Sequence, residues 1–270
     1  MSPTAPAGDR AAVRRDLLLQ LVRRDILGRY RGSLLGIAWA LVTPLLLLAV
    51  YGFVFGGIFR VRWSADPAAG GVVAFALPLF AGLIVFGIFA DVMTRAPGAV
   101  LAHPSFVRKM VFPLEVLPVV TLGSALFHAV MGFAVLLVAM LAFGVTPAWT
   151  ALFLPLVLLP PLLLALGIAW ALAALGVYVR DITQIVGTLA TALLFLSPVF
   201  FPLSALPEGV RPFVALNPLT LPVEQVRDVL FWGRMPDWAA LAVYTLAAAF
   251  VAWAGYAWFQ ATRKGFADVL

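Results

Sequence analysis

Six long apolar runs, at residues 34–59, 72–90, 117–143, 150–177, 185–202 and 239–259, constrain this chain more than any other feature. A helix of about 20 apolar residues crosses a hydrocarbon layer roughly 30 Å thick. Such a segment satisfies its backbone hydrogen bonds internally, which lipid requires. The expected fold is therefore all-α and integral to the membrane, with six transmembrane helices and both termini on one side. With 64% hydrophobic and 11% charged residues among 270, the chain has more apolar surface than a soluble core can hide, and far too much for disorder.

Thirteen of the eighteen lysines and arginines fall on the side that holds both termini, which makes that side cytoplasmic by the positive-inside rule. The net charge of +6 thus reads as topology rather than as nucleic-acid affinity. The opening residues MSPTAPAGD lack the basic and apolar regions of a signal peptide.

Ahead of the first run lies an amphipathic stretch. At about 100° per residue, Asp16, Gln20, Arg23 and Arg24 share one side, and Leu18, Leu21, Val22 and Ile26 the other. This suits a helix lying in the membrane interface. Asp25 falls on its apolar side and calls for a partner among Arg24, Arg29 and Arg31, unless it sits at a solvated helix end. Prolines at 44, 78, 118, 155, 160, 161 and 198 punctuate the runs, and the Pro160-Pro161 pair suggests a broken fourth span. Between the fifth and sixth runs, residues 203–238 are more polar. Val223, Val226 and Leu230 recur there at helical spacing, so short helices dipping into the outer leaflet fit, as does a plain external loop.

Several chemistries are excluded. There is no cysteine, and His103 and His128 stand far apart, so no metal centre is expected. The only lysines, Lys109 and Lys264, are followed by Met110 and Gly265, so no phosphate-cradling GxxxxGK[ST] loop exists. If ATP drives this chain, another polypeptide binds it. Ion-coupled carriers place ionisable groups at bilayer depth. Here Asp91 and Glu115 lie at span edges and only His128 lies well inside, either as a proton relay or hydrogen-bonded to a neighbouring carbonyl or helix. No HxxxxD or HExxH arrangement supports a lipid-modifying enzyme.

Aromatic residues are grouped. Trp39, Tyr51, Phe53, Phe55, Phe59 and Trp63 follow the first span, and Phe195, Phe200 and Phe201 mark the fifth. Rings stack on the apolar faces of sugars and make few hydrogen-bond demands. These positions, Trp63 apart, are candidates for lining a glycan conduit, against the alternative of interfacial and lipid packing. The connection from Asp91 to Glu115 places a short helix near Pro104, followed by Arg108-Lys109 and Phe112-Pro113. It suits docking into a partner's groove, or an ordinary positive-inside loop.

Arg24-Asp25, Arg29-Tyr30-Arg31, Ser33, Leu35-Gly36, Trp39 and Pro44 form RDxxxRYRxSxLGxxWxxxxP, which resembles the start of the first span in permeases of ABC-2 type polysaccharide exporters. The resemblance continues through FVRKMVFPLEVLP at 106–118, Arg180-Asp181-Ile182, Ser197-Pro198-Val199, Asn217-Pro218 and the terminal FADVL. It implies a six-span permease that pairs with itself and with two ATPase subunits carrying ATP and magnesium. Its implied cargo is a lipid-linked O-antigen, teichoic acid or capsular polysaccharide, and its implied location is the bacterial inner membrane. The RYRGS start is more similar to O-antigen and teichoic acid members. By this resemblance residues 1–33 are a cytoplasmic tail and interface helix, with Arg24, Asp25, Arg29, Tyr30 and Arg31 at its junction with the first span. Residues 34–270 are the transmembrane domain. Within it, 97–113 is the coupling segment, carried by Pro104, Ser105, Phe106, Arg108 and Lys109, and 203–238 is the outward gate segment. A polymer longer than the membrane is thick needs a continuous conduit, which a homodimer would place at its two-fold axis, lined by the first and fifth spans. The rival readings are an ABC-2 exporter of lipids or drugs, and a membrane enzyme or scramblase without an ATPase.

Overall fold

The computed structural model describes residues 7–58, 72–107 and 112–269, which are helical with no strand among them. The helices are α1 (Ala7–Tyr30), α2 (Trp39–Tyr51), α3 (Val72–Arg95), α4 (Pro104–Val107), α5 (Val116–Ala142) and α6 (Leu154–Tyr178). They continue with α7 (Ile182–Leu196), α8 (Arg211–Ala215), α9 (Thr220–Arg227), α10 (Trp238–Thr262) and α11 (Phe266–Val269). A π-helical turn, Gly52–Ile58, extends α2, and another, Asp228–Trp232, extends α9.

Five helical segments are long and apolar enough to cross a membrane: Gly36–Phe55, Phe75–Gly98, Val116–Ala142, Trp149–Tyr178 and Trp238–Val269. The chain is therefore a multi-pass, all-helical membrane protein. The fifth expected span is shorter than its apolar run. At 1.5 Å per residue, the 15 residues of α7 reach only about 22 Å. The helix stops at Ser197, which is extended at φ −95° and ψ 149° because Pro198 follows it. The expected break at Pro160-Pro161 does not occur. Both prolines are buried inside a continuous α6, beyond its first turn, so the helix runs through the loss of their two N–H donors.

The central element is α3. Its Phe80, Val85, Phe89 and Val92 join Ala129 and Leu136 of α5, Val157 and Leu164 of α6, and Val223 and Val226 of α9 in one core. By contrast, α2 touches this core through Leu48 alone among its fully buried residues and exposes Leu41, Leu45, Leu46 and Leu47. Close helix approach depends on absent side chains. At the crossing of α6 and α10, a Cβ on Gly167 would lie 2.6 Å from Ala252 Cα, and one on Gly255 would collide with the Gly167 carbonyl. In lipid such close packing replaces the hydrophobic effect as the cohesive force.

The amphipathic reading of α1 holds: Ile26 is buried, Leu18, Leu21 and Val22 are half-buried, and Arg23 and Arg24 are exposed. Its apolar face lies on α5, where a Cβ on Gly123 would come within 2.8 Å of Val22 Cγ2. Between α7 and α10, the helical spacing of Val223 and Val226 is realised in α9, with both residues fully buried.

Candidate functional site

Charge joins the last two turns of α1 to the cytoplasm-facing end expected for α3. Arg29 Nη2 donates to both carboxylate oxygens of Asp91, at 2.5 and 2.6 Å. Arg95 Nη2 donates to Asp25 at 2.6 and 2.7 Å, and its Nη1 lies 3.5 Å from Asp91. The partner of Asp25 is thus Arg95, not Arg24, Arg29 or Arg31: an i, i+4 acid–base pair on α1 meets the complementary pair on α3. Beside it, the Tyr30 hydroxyl and His128 Nε2 are 2.6 Å apart, and His128 Nδ1 is 2.7 Å from the Ser124 carbonyl. His128 is accordingly held by hydrogen bonds to a backbone carbonyl and a neighbouring helix, the second of its two expected readings. Arg24 and Arg31 are exposed.

The candidate lining aromatics divide. Tyr51, Phe55 and Phe200 form a cluster with centroids 6.0 to 6.4 Å apart, and Phe195 stacks on Phe200 at 5.9 Å. Phe75, fully buried at the start of α3, completes it at 5.4 Å from Phe55. Within an apolar run nothing distinguishes Phe75 from other phenylalanines, so sequence reasoning passed it over. Phe53 points away and is 68% exposed, and Phe201 is half-buried. Trp39 belongs elsewhere, to a cavity between α2, α3 and α5. Phe59 lies outside the described residues, as do Arg108 and Lys109 of the coupling segment.

In that segment, α4 exposes Pro104 and Ser105, whereas Phe106 is half-buried between Phe112 at 4.2 Å and His103 at 5.2 Å. These rings rest on a second core of Val100, Leu114, Leu117, Phe259 and Phe266. The FPLE and FADVL motifs therefore meet: Phe266 is fully buried against Phe259, and Arg263 donates to Glu115 at 3.0 Å and to the Phe112 carbonyl at 3.3 Å.

On the opposite side, the SPV and NP motifs meet likewise. Asn217 Nδ2 donates to the Leu196 carbonyl at 3.1 Å and to Ser197 Oγ at 3.0 Å. Arg227, which lies in the more polar segment 203–238, is fully buried. Its guanidinium donates to the carbonyls of Pro78, Pro198 and Val199 at 2.9, 2.6 and 2.7 Å, and to Glu224 at 3.2 Å. Pro198 and Val199 lie past the end of α7, where their carbonyls have no intrahelical partners, while Pro78 belongs to α3; a planar five-donor fork reaches all three. Gly82 makes room, since a Cβ there would lie 2.5 Å from Arg227 Nη2. Burial lowers the Arg227 pKa to about 10, opposed by Glu224, so the charge persists at neutral pH. Burial likewise raises Glu224, opposed by Arg227.

Among the described residues, no group of three His, Asp or Glu side chains could hold a metal. The class defined is a multi-pass helical membrane protein with an aromatic cluster at one end, a short ring-packed helix at the other, and a sequence without a nucleotide-binding loop. The chain belongs to the ABC-2 type transporter family, whose model matches residues 16–231. It is 30% identical over 256 residues to the O-antigen export system permease protein RfbA of Myxococcus xanthus, covering 94% of this chain and 95% of that protein. It is 23% identical, with the same coverage, to the protein of that name from Klebsiella pneumoniae. The polysialic acid transport protein KpsM of Escherichia coli is 28% identical over 248 residues, covering 87% and 90%.

Proposed function

We propose that this chain is the membrane-spanning permease subunit of an ATP-driven exporter that moves lipid-linked polysaccharide outward. The observation that carries the reading is end-to-end similarity to O-antigen export permeases, 94% of this chain against 95% of the relative. The absence of a phosphate-cradling loop in the sequence supports a transport subunit, with ATP and magnesium held by a separate ATPase. Two copies of the chain would pair about a two-fold axis with two ATPase subunits, in the bacterial inner membrane with both termini cytoplasmic. Each copy would cross six times, α7 and the segment to Pro202 forming the fifth crossing.

In this reading Tyr51, Phe55, Phe195 and Phe200, with Phe75 behind them, form the aromatic part of the conduit, and residues 203–238 its outward gate. Residues 97–113 carry the ATPase-docking surface, with Pro104, Ser105, Phe106, Arg108 and Lys109 at its centre, and residues 1–33 the interface helix. Similarity to O-antigen and polysialic acid proteins favours a polysaccharide over a drug or small lipid. The test is deletion of the gene in its host with surface glycan as the readout. Surface polysaccharide should vanish while lipid-linked chains accumulate inside, and the intact gene should restore export. Undiminished surface polysaccharide would overturn the proposal.

A further inference from the structure

The cavity that holds Trp39 has a volume of about 640 Å³, within the range of small-molecule sites, roughly 300–1,000 Å³. Its chemistry is segregated by depth. Arg29, Tyr30, Asp91 and His128 gather at the end beside α1, whereas Leu47, Phe80, Ile84, Ala129 and Gly132 line the interior of the bundle. Such a division, polar at the interface and apolar within, complements an amphiphile.

Gly87 supplies an independent observation. It lies in the middle of α3, where a glycine costs about 1 kcal/mol relative to alanine. At Gly82, Gly123 and Gly132 a close neighbour accounts for the missing side chain, but a Cβ on Gly87 would meet nothing within 4 Å. Helix packing does not require this glycine. What its bare backbone does is enlarge the cavity it lines.

Charge selects the headgroup. A crevice of about 360 Å³ lined by Arg24, Asp25, Gly28 and His103 shares Arg29 with the cavity. Asp25 and Asp91 are matched by Arg95 and Arg29, and Arg24 adds an exposed positive charge to this neutral network. Basic pockets between helices at an interface bind anionic lipid headgroups.

We infer that this cavity and crevice form a binding site for an anionic phospholipid of the leaflet beside α1, with one acyl chain between α2, α3 and α5 and the phosphate near Arg24 and Arg29. The site is resident in the protomer and is separate from the aromatic conduit, so it stands whether or not the cargo is a polysaccharide.

The experiment is native mass spectrometry of the full chain extracted from vesicles of phosphatidylglycerol and phosphatidylcholine in roughly equal parts, with polyprenyl phosphate added in a parallel sample. The native protein should retain phosphatidylglycerol over phosphatidylcholine. Gly87→Leu fills the cavity and raises helix propensity, so it should fold as well as the native chain and retain at least about tenfold less lipid, the loss that 1.4 kcal/mol produces. Thr43→Trp, which enters from the exposed wall of α2, serves as a second filling variant should Gly87→Leu fail to fold. Arg24→Gln should keep the lipid and lose the preference for phosphatidylglycerol. Undiminished retention in the filled variants would overturn the site, as would equal retention of both phospholipids by the native chain. Displacement of phosphatidylglycerol by polyprenyl phosphate would overturn the choice of occupant.

Discussion

Arg227 concentrates much of the structural logic of the outward end in one side chain. Replacement by methionine removes the guanidinium that joins the Pro78, Pro198 and Val199 carbonyls, and leaves Glu224 opposite no guanidinium. Each buried polar group left unsatisfied costs about 1–3 kcal/mol. We therefore expect Arg227→Met to lower thermal stability sharply in fluorescence-detected size exclusion. Arg227→Lys should recover only part of the loss, because a point charge cannot replace a fork. The sequence did not disclose this role. Arg227 sits between apolar Val226 and acidic Asp228, off the spacing of Val223, Val226 and Leu230, so nothing local marks it as buried. Its burial depends on carbonyls 28 and 149 residues away, and on the space left by Gly82. Asp25 was a better clue, since a carboxylate on an apolar helix face demands a cation. Local spacing nominated its sequence neighbours, but the helix directs it across to Arg95.

At the scale of elements, the crossed charge pairs tie α1 to α3. Exchanging the charges as Asp25→Arg with Arg95→Asp should restore much of what either single change loses, and a double-mutant cycle on thermal stability should yield a coupling of about 1 kcal/mol, the upper end for partly exposed pairs. A null coupling would mean the pair is only adjacent. Where α10 crosses α6, Gly255→Leu should abolish folded protein, whereas leucine at Gly187, which has open space around it, should be tolerated; yields of folded protein measure both. Long helices were legible because apolar runs of 20 or more residues leave lipid-spanning helices as the simple solution. The end of α7 was not: composition continues apolar through Val199, Phe200 and Phe201, while the backbone answers to Pro198. The intact α6 shows the converse, since Pro160-Pro161 reads locally as a break while the buried helix runs through it.

For the whole molecule, the separated sequence motifs prove to be spatial pairs: RYR with the end of α3, FPLE with FADVL, and SPV with NP. That pairing explains why pieces scattered along the chain identify one architecture. On the side proposed to dock the ATPase, Phe106 is packed between two rings, so Phe106→Ala should weaken capture of that subunit by about tenfold, roughly 1.4 kcal/mol, while leaving the transmembrane bundle assembled. Unchanged co-purification would remove Phe106 from the docking surface. The aromatic cluster was partly visible as a density of rings, but only folding distinguishes Tyr51, Phe55 and Phe200, which converge, from Phe53, which diverges. The sparse seating of α2 has a further consequence. It rests on α5 and α3 while burying only Ala40 and Leu48, so a change in its tilt would disturb few buried side chains. In the proposed exporter, such a wall would yield to a broad cargo unit while its neighbours keep their form.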